Sequence, residues 1–259
     1  MPSNDDILLT ILLALMALLY SSVGHAGSSG YQAAMGLFDV PSEMMKPIAL
    51  FLNIVVASIG TWQFARRDSV DWRRLLWLVA GSIPAALVGG YLTLKPGWYY
   101  VLVGIVLWIA AVRLWFVGLP GFKQQNSASE TPQPRLDYRL LLLVGIVLGF
   151  LSGLTGTGGG IFLTPLLVLC GWSTPRQAAG LSVAFILANS PAGLIGWWHK
   201  TGGNVALPAL LPWWMVLVGV FGWLGSWFGS KYGSPVVLRR LLALVLIIAG
   251  AKMVMQGLK

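Results

Sequence analysis

Two glycine-rich stretches, about half a chain apart, interrupt apolar runs with small polar residues. The first reads GHAGSSGY over residues 24–31, and the second reads TGTGGG over residues 155–160. Glycine tolerates positive φ and lets a ligand approach the main chain closely. Each stretch leads into a short apolar piece, 29–38 or 160–170, which we predict to be a half-helix. Because the free N–H groups and the dipole at the start of a helix favour anions, this pattern predicts binding of a small anion.

Polar side chains in and near these stretches could complete such a site. Serine and threonine hydroxyls would add hydrogen-bond donors, and His25 would donate to the anion, carry a proton or bond a loop carbonyl. Asn53 and Asn189 lie on apolar helices, where a buried amide either binds a solute or bonds a neighbouring helix. The predicted substrate-binding residues are Gly24, His25, Gly27, Ser28, Ser29, Gly30, Tyr31, Asn53, Thr155, Gly156, Thr157, Gly158, Gly159, Gly160 and Asn189.

An alternative interpretation is that the glycines only allow helices to pack closely. That role predicts small residues spaced by four along one helix face, whereas the glycines here are spaced by three. Residues 158–160 are three consecutive glycines, and each would cost a helix roughly 1 kcal/mol relative to alanine. We therefore expect interrupted, re-entrant chain at both stretches.

The composition is that of an integral membrane protein. Of 259 residues, 57% are hydrophobic and 10% are charged, and the mean hydropathy is +0.78, whereas soluble domains carry roughly 25% charged residues. The net charge is +9. The basic residues lie in short loops between apolar runs, as the positive-inside rule expects, so nucleic acid is not an expected partner. The sequence has no paired carboxylates in an apolar segment, no metal-ligand spacing and no nucleophile beside a base. We therefore expect neither an enzyme nor a bound metal or cofactor.

Six apolar runs predict membrane-spanning helices, at 47–65, 75–94, 98–117, 178–198, 206–229 and 236–257. Two further regions, 7–38 and 140–170, are apolar but broken at the glycine-rich stretches. The first six residues contain two aspartates and no basic residue, so the run from Ile7 to Leu19 predicts a retained helix and not a signal peptide. The single cysteine, Cys170, has apolar neighbours, which predict a buried thiol. The predicted fold class is an all-α polytopic membrane protein.

Two patterns recur in both halves of the chain. G-x-x-G-x-x-G begins at Gly24 and again at Gly153, and N-x5-I-G-x-W begins at Asn53 and again at Asn189. Between the halves, residues 118–139 are rich in Pro, Gln and Ser, which predicts a flexible cytoplasmic linker. We predict two homologous repeats, 1–117 and 140–259, each made of one broken, re-entrant region and three transmembrane helices.

The charge distribution favours an inverted arrangement of the repeats. If each broken region enters the membrane and returns as a hairpin, a repeat makes three crossings and the next repeat is inverted. If each region crosses once, a repeat makes four crossings and the two are parallel. With Arg66 in the cytoplasm, the hairpin arrangement leaves five basic residues outside, which are Lys46, Lys95, Lys200, Lys252 and Lys259. The parallel arrangement leaves six outside, so the positive-inside rule favours inversion by a narrow margin.

The second stretch and its continuation, GLTGTGGGIFLTPLL and TPRQAAGLSVAF with an asparagine-bearing helix, resemble the sulfite exporter TauE/SafE family. The first half, with GHAGSSGY, VPSEMMKP and its own asparagine helix, resembles the matching repeat. The resemblance covers the chain outside 118–139 and implies a multi-pass permease of the bacterial inner membrane for sulfite, sulfonates, thiosulfate or related organic anions. The first stretch is less glycine-rich than the second, so no particular substrate is implied.

The absence of acidic residues from the apolar stretches bears on direction, because no carboxylate relay is evident for proton coupling. The membrane potential drives anions outward with about 2.3 kcal/mol per charge per 100 mV. We therefore expect export of a small anion, with that anion and the lipid bilayer as partners; association with further copies of the chain stays open. Two alternatives are a H⁺- or Na⁺-coupled importer of an organic anion and a membrane scaffold that transports nothing.

Overall fold

A computed structural model describes residues 4–22, 24–116, 137–203, 207–232 and 236–258, which form ten α-helices. In chain order they are α1 (Asn4–Ser22), α2 (Ser28–Leu37), α3 (Ser42–Ala65), α4 (Trp72–Tyr91), α5 (Pro96–Phe116), α6 (Tyr138–Thr155), α7 (Gly160–Leu169), α8 (Pro175–Thr201), α9 (Leu211–Tyr232) and α10 (Val236–Gly257). The described residues contain no β-strand, so the all-α prediction is confirmed. Most of the predicted linker, 118–139, lies outside the described residues. Its last two residues belong to α6, which begins at Tyr138.

Six of these helices are long and apolar enough to cross a membrane: α1, α3, α4, α6, α8 and α9. Further apolar stretches lie in α5, at Pro96–Val112, and in α10, at Leu246–Gly257. Many large apolar side chains on these helices face outward, among them Leu76, Trp98 and Ile248. An apolar exterior of this kind suits contact with lipid tails, and it confirms the multi-pass membrane protein that the composition predicted.

Local capping signals explain why several helices begin before their apolar runs. α8 begins at Pro175, because the Thr174 hydroxyl accepts from the Gln177 N–H and the Gln177 side chain accepts from the Thr174 N–H in a capping box. α4 begins at Trp72, because Asp71 accepts a hydrogen bond from the backbone N–H of Arg74. Polar caps of this type lie outside the apolar periodicity, so hydropathy alone placed both starts three residues late.

Both predicted interruptions are confirmed. α1 and α2 are separated by the first break, residues 24–27, and α6 and α7 by the second break, residues 156–159. The chain folds back at each: a Cβ atom on Gly30 would lie 3.0 Å from Cβ of Met16, and one on Gly159 would lie 3.3 Å from the carbonyl oxygen of Leu148. Each broken region is therefore a helical hairpin, in which α2 and α7 are the short return arms.

Close glycine packing also occurs along the helix that precedes the second break. α4 packs along α6 and also against α8, while α1 packs along α9 and α5 along α10. On α6, Cβ atoms at Gly145, Gly149 and Gly153 would lie 2.2, 2.3 and 2.0 Å from carbonyl oxygens of α4. These glycines have the spacing of four that close helix contact requires. The packing interpretation therefore holds for Gly153, which belongs to α6 and not to the second break.

One sequence prediction about the C-terminal end of α7 is wrong. Cys170 is exposed, not buried, because α7 ends at Leu169 and the chain turns there through Gly171 at φ +67°. Its apolar sequence neighbours belong to the helix on one side and to the turn on the other.

Candidate functional site

The first break depends on two glycines with positive φ. Gly24 has φ +80° and follows α1, and Gly27 has φ +100° and is the N-cap of α2. A side chain at either position would be strained, and a Cβ atom on Gly24 would also lie 2.5 Å from Cβ of Ala179. His25 lies between them and is buried, and its backbone N–H donates to the carbonyl oxygen of Tyr20 at 3.0 Å.

The second break is built in the same way. Gly156 has φ +80° and is the C-cap of α6, whereas Gly159 has φ +78° and is the N-cap of α7. By φ and by position before the half-helix, Gly24 and Gly27 resemble Gly156 and Gly159, whereas the sequence match pairs them with Gly153 and Gly156. Gly30 and Gly153, which shared in that match, lie inside helices. Spacing alone could not separate the glycines that bend the chain from those that pack it.

Hydrogen bonds join the two broken regions in both directions. From α2, the Ser28 hydroxyl donates to the carbonyl oxygen of Thr157, and the Gln32 side-chain amide donates to that of Thr155. From α7, the Thr164 hydroxyl lies 3.1 Å from Nε2 of His25. Each half-helix therefore bonds the break of the other hairpin.

Several predicted site residues serve to hold the breaks together. The Tyr31 hydroxyl donates to the carbonyl oxygen of Ala26 at 2.7 Å, and Ser29 donates to the Tyr20 hydroxyl at 2.9 Å. In the second hairpin, the Thr155 and Thr157 hydroxyls lie 2.8 Å apart. A hydroxyl that already forms a hydrogen bond within the protein has less capacity left for a solute. The principal free donors are therefore backbone N–H groups and the side-chain amides of the two asparagines.

Asn53 and Asn189 are the strongest candidates to contact a solute. Both are 0% exposed, and both lie near the middles of their helices, α3 and α8. Within the described chain, neither amide atom of either residue has a hydrogen-bond partner. Buried amides are almost always paired, because an unpaired one costs about 1–3 kcal/mol. The alternative role, a bond to a neighbouring helix, is not observed for either residue.

The Asn53 amide faces the second break. A Cβ atom on Gly158 would lie 3.0 Å from Nδ2 of Asn53, so only a glycine leaves this approach open. Two further polar groups near the site are also unpaired among the described residues, the Gln32 amide oxygen and the Ser152 hydroxyl. A Cβ atom on Gly159 would lie 3.2 Å from Cβ of Ser152. Unpaired polar groups therefore gather around the second break.

The half-helices add a positive electrostatic contribution to this region. Neither N-cap, Gly27 or Gly159, supplies a side-chain hydrogen bond, and neither α2 nor α7 has an acidic residue in its first turn. The first backbone N–H groups of a helix have no partner within the helix, and the dipole places roughly half a positive charge there. Chemically, such a site suits an oxyanion.

Sequence reasoning missed four buried polar residues close to the breaks: Gln32, Lys46, Thr164 and Ser182. Thr164 donates to the Ser182 hydroxyl of α8 at 2.7 Å, which extends the contact of His25 across α7. Lys46, which the topology prediction counts among the basic residues outside, has a buried side chain. The available signal was a polar residue inside an apolar half-helix for Gln32 and Thr164, and a lysine within an apolar helix for Lys46.

Comparison with known proteins gives consistent matches. A family model described as Sulfite exporter TauE/SafE matches residues 9–253. The probable membrane transporter protein y4hK of Sinorhizobium fredii is 36% identical over 250 residues, covering 96% of this chain and 98% of that protein. The probable membrane transporter protein YunE of Bacillus subtilis is 23% identical over 239 residues, covering 85% of this chain and 84% of that protein. No solved structure matches the chain significantly.

Proposed function

Because this chain belongs to the sulfite exporter TauE/SafE family, we propose that it passes a small anion, a sulfur oxyanion or sulfonate, across the membrane. Its family and relatives are named as membrane transporters and not as enzymes. In this proposal the anion binds between the two breaks and contacts Gly24–Tyr31, Thr155–Gly160, Asn53 and Asn189. The anion would receive hydrogen bonds from the first turns of α2 and α7.

The observation that carries this proposal is the pairing of two features at the second break. The N-terminus of α7 is uncapped by any side chain, and the buried, unpaired amide of Asn53 lies against Gly158. An oxyanion between them would accept hydrogen bonds from both at once. Such bonds to a charged acceptor contribute about 1.5–3 kcal/mol each, which offsets the cost of holding unpaired donors.

We further infer that the two repeats are inverted, as the repeats of many secondary transporters are. The hairpin form of both broken regions supports three full crossings per repeat. The packing supports a two-fold relation between α1–α5 and α6–α10. If α1 is exchanged with α6, α2 with α7 and so on, the α4–α6 pair becomes α9–α1 and the α4–α8 pair becomes α9–α3, and all four pairs are in contact. The α3–α8 and α5–α10 pairs convert into themselves, so in this proposal the two asparagine helices lie on either side of the axis.

The proposed direction is outward, because the membrane potential alone drives an anion that way. The test is sulfite flux in proteoliposomes with an imposed potential. An inside-negative potential should accelerate efflux without a proton gradient. Efflux that ignores the potential, together with uptake driven by a proton gradient, would contradict export.

Coupled import is the second candidate, favoured by the buried contact from His25 through Thr164 to Ser182. This contact joins the first break to α7 and α8, so a proton on His25 would alter hydrogen bonding at both hairpins. If import is the function, His25→Ala should abolish the dependence of uptake on the proton gradient while sulfite still protects the protein against heat. An unchanged proton dependence would exclude His25 as the coupling group.

A further inference from the structure

Lys46 is a buried cation held by the end of another helix. It lies in the second turn of α3 and is 6% exposed. Its ammonium donates to the carbonyl oxygens of Gly90 at 2.8 Å and of Gly89 and Leu92 at 3.2 Å. These carbonyls are at the C-terminal end of α4, where backbone oxygens lack partners within the helix. All three N–H donors of the ammonium are therefore occupied by main-chain oxygens.

These contacts do not cancel the charge of Lys46. Among the described residues, the ion pairs join Arg74 to Asp71 and Lys252 to Asp39, and neither involves Lys46. The end of a helix carries roughly half a negative charge, so the contact with α4 offsets only part of the ammonium charge. A net positive charge therefore remains in a region of low dielectric constant.

The stem of the Lys46 side chain lies beside the second break. A Cβ atom on Gly156 would lie 3.1 Å from both Cα and Cγ of Lys46. Lys46 is also seven residues before Asn53, so the two side chains project from the same face of α3, two turns apart. One face of α3 therefore presents the stem of a lysine near the start of the second break and an unpaired amide near its centre.

We propose that Lys46 is the charge-selectivity residue of the transport site, an inference that rests on the proposed function. The ammonium acts on the anion through its electric field. The hydrogen bonds to the anion come from α2, α7 and Asn53. Seven residues of helix separate Lys46 from Asn53 by about 10 Å. At that distance and an effective dielectric constant of about 20, a unit charge changes the affinity for a monovalent anion by roughly tenfold. A neutral molecule of the same shape is insensitive to that field.

The test compares a charged competitor with its neutral analogue. Sulfite flux would be measured in proteoliposomes with methanesulfonate or dimethyl sulfone as competitor, for the wild type and for Lys46→Gln. Glutamine keeps two N–H donors for the α4 carbonyls but removes the charge. We expect the inhibition constant of methanesulfonate to rise roughly tenfold, while that of dimethyl sulfone stays the same.

Two further variants separate charge from structure. Lys95 is exposed and follows the same end of α4, so Lys95→Gln should leave both inhibition constants unchanged. Lys46→Arg keeps the charge and should keep the wild-type preference for methanesulfonate. If Lys46→Gln does not fold, Lys46→Arg still tests the inference. Loss of the preference for methanesulfonate in Lys46→Arg, which keeps the positive charge, would contradict an effect of the charge.

The outcomes distinguish this inference from the proposed function. If Lys46→Gln is folded and keeps the wild-type preference for methanesulfonate, Lys46 only caps α4 and the inference is overturned. If wild-type proteoliposomes pass no sulfite, methanesulfonate or thiosulfate, the proposed function fails, and the selectivity role falls with it.

Discussion

At the scale of single residues, the most informative groups are the buried amides of Asn53 and Asn189. A protein that only needed stable helices would gain from apolar residues at these positions, since unpaired buried amides cost free energy. Both lie near the middles of their helices, and Asn53 lies against the second break, which is the arrangement expected of a binding group.

We predict that Asn53→Leu separates stability from binding. Leucine has a similar shape and no polar atoms, so the free energy of unfolding without substrate should stay the same or rise by about 1–3 kcal/mol. The KM for sulfite efflux should rise about tenfold, because a hydrogen bond to a charged solute is lost. Thermal unfolding of the purified protein and efflux kinetics measure the two effects.

The matched control is Ser58→Ala on the same helix. The Ser58 hydroxyl is exposed and bonds the carbonyl oxygen of Ile54 at 2.7 Å within α3, so this change should alter neither quantity. A large loss of stability in Asn53→Leu, with an unchanged KM, would mean that Asn53 has a structural partner.

The Asp39–Lys252 pair predicts a local pH dependence. Lys252 donates to an Asp39 carboxylate oxygen at 2.8 Å, and this hydrogen bond is the main cause that lowers the pKa of Asp39 below its ordinary value. A lowered carboxyl pKa stabilises the folded state above the unfolded pKa of about 4. This contribution is lost as the pH falls through the lowered value.

Hydrogen exchange measures this effect, because Lys252 also bonds the carbonyl oxygen of Leu37 at the end of α2. The protection factor of amides in the last turn of α2, which is the intrinsic exchange rate at each pH divided by the observed rate, should fall below about pH 4 in the wild type. In Asp39→Asn the protection factor should be low at every pH and lose its acid dependence. An acid dependence that survives in Asp39→Asn would assign it to another group.

At the scale of helices, glycines have two different tasks in this fold. Gly153 lets α6 approach α4, whereas Gly158 has φ +73° and leaves room for Asn53 and Ile186. A stability assay alone cannot distinguish these tasks, but comparison with a glycine that only turns the chain can. Gly171 supplies that comparison, since its φ is +67° and nothing lies within 4 Å of a Cβ atom there.

We predict that Gly158→Ala and Gly171→Ala lose similar stability from backbone strain, about 1–2 kcal/mol each, with a further loss at Gly158 from contact with Ile186. Only Gly158→Ala should reduce sulfite efflux, by tenfold or more, because its methyl group would crowd Asn53 Nδ2. Equal efflux for the two variants would place the transport path elsewhere. Urea unfolding and efflux assays provide both measurements.

The helices themselves were predictable, and the side-chain partners were not. Apolar runs and glycine-rich interruptions located all ten helices because a membrane span requires a long apolar segment. By contrast, Gln32 reaches Thr155 and Thr164 reaches His25 across different halves of the chain. Such contacts depend on tertiary packing, which periodicity does not encode. The glycines that bend the chain were not predictable for the same reason, since packing and bending glycines are identical in sequence.

At the scale of the whole molecule, cations hold the C-terminal ends of the two half-helices. The end of α2 is held by Lys252 of α10, and the turn after α7 is held by Arg74, which donates to the carbonyl oxygen of Trp172. In the inverted arrangement these contacts lie on opposite membrane surfaces.

Topology can be tested with single cysteines in a Cys170→Ser background. The inverted arrangement predicts that Arg176→Cys is cytoplasmic and Lys200→Cys is external, whereas the parallel arrangement predicts the reverse. Both positions are exposed, so each can react with a membrane-impermeant maleimide on intact cells. Labelling of Lys200→Cys without Arg176→Cys supports inversion, and the opposite pattern excludes it.

The central claim, that an anion binds between the two breaks, is tested most directly by anomalous diffraction from crystals grown with selenite, a heavier analogue of sulfite. The account predicts a selenium peak within hydrogen-bond distance of Asn53 Nδ2 and of the first N–H groups of α7. A peak elsewhere along the transport path, in a protein that still passes sulfite, would contradict it.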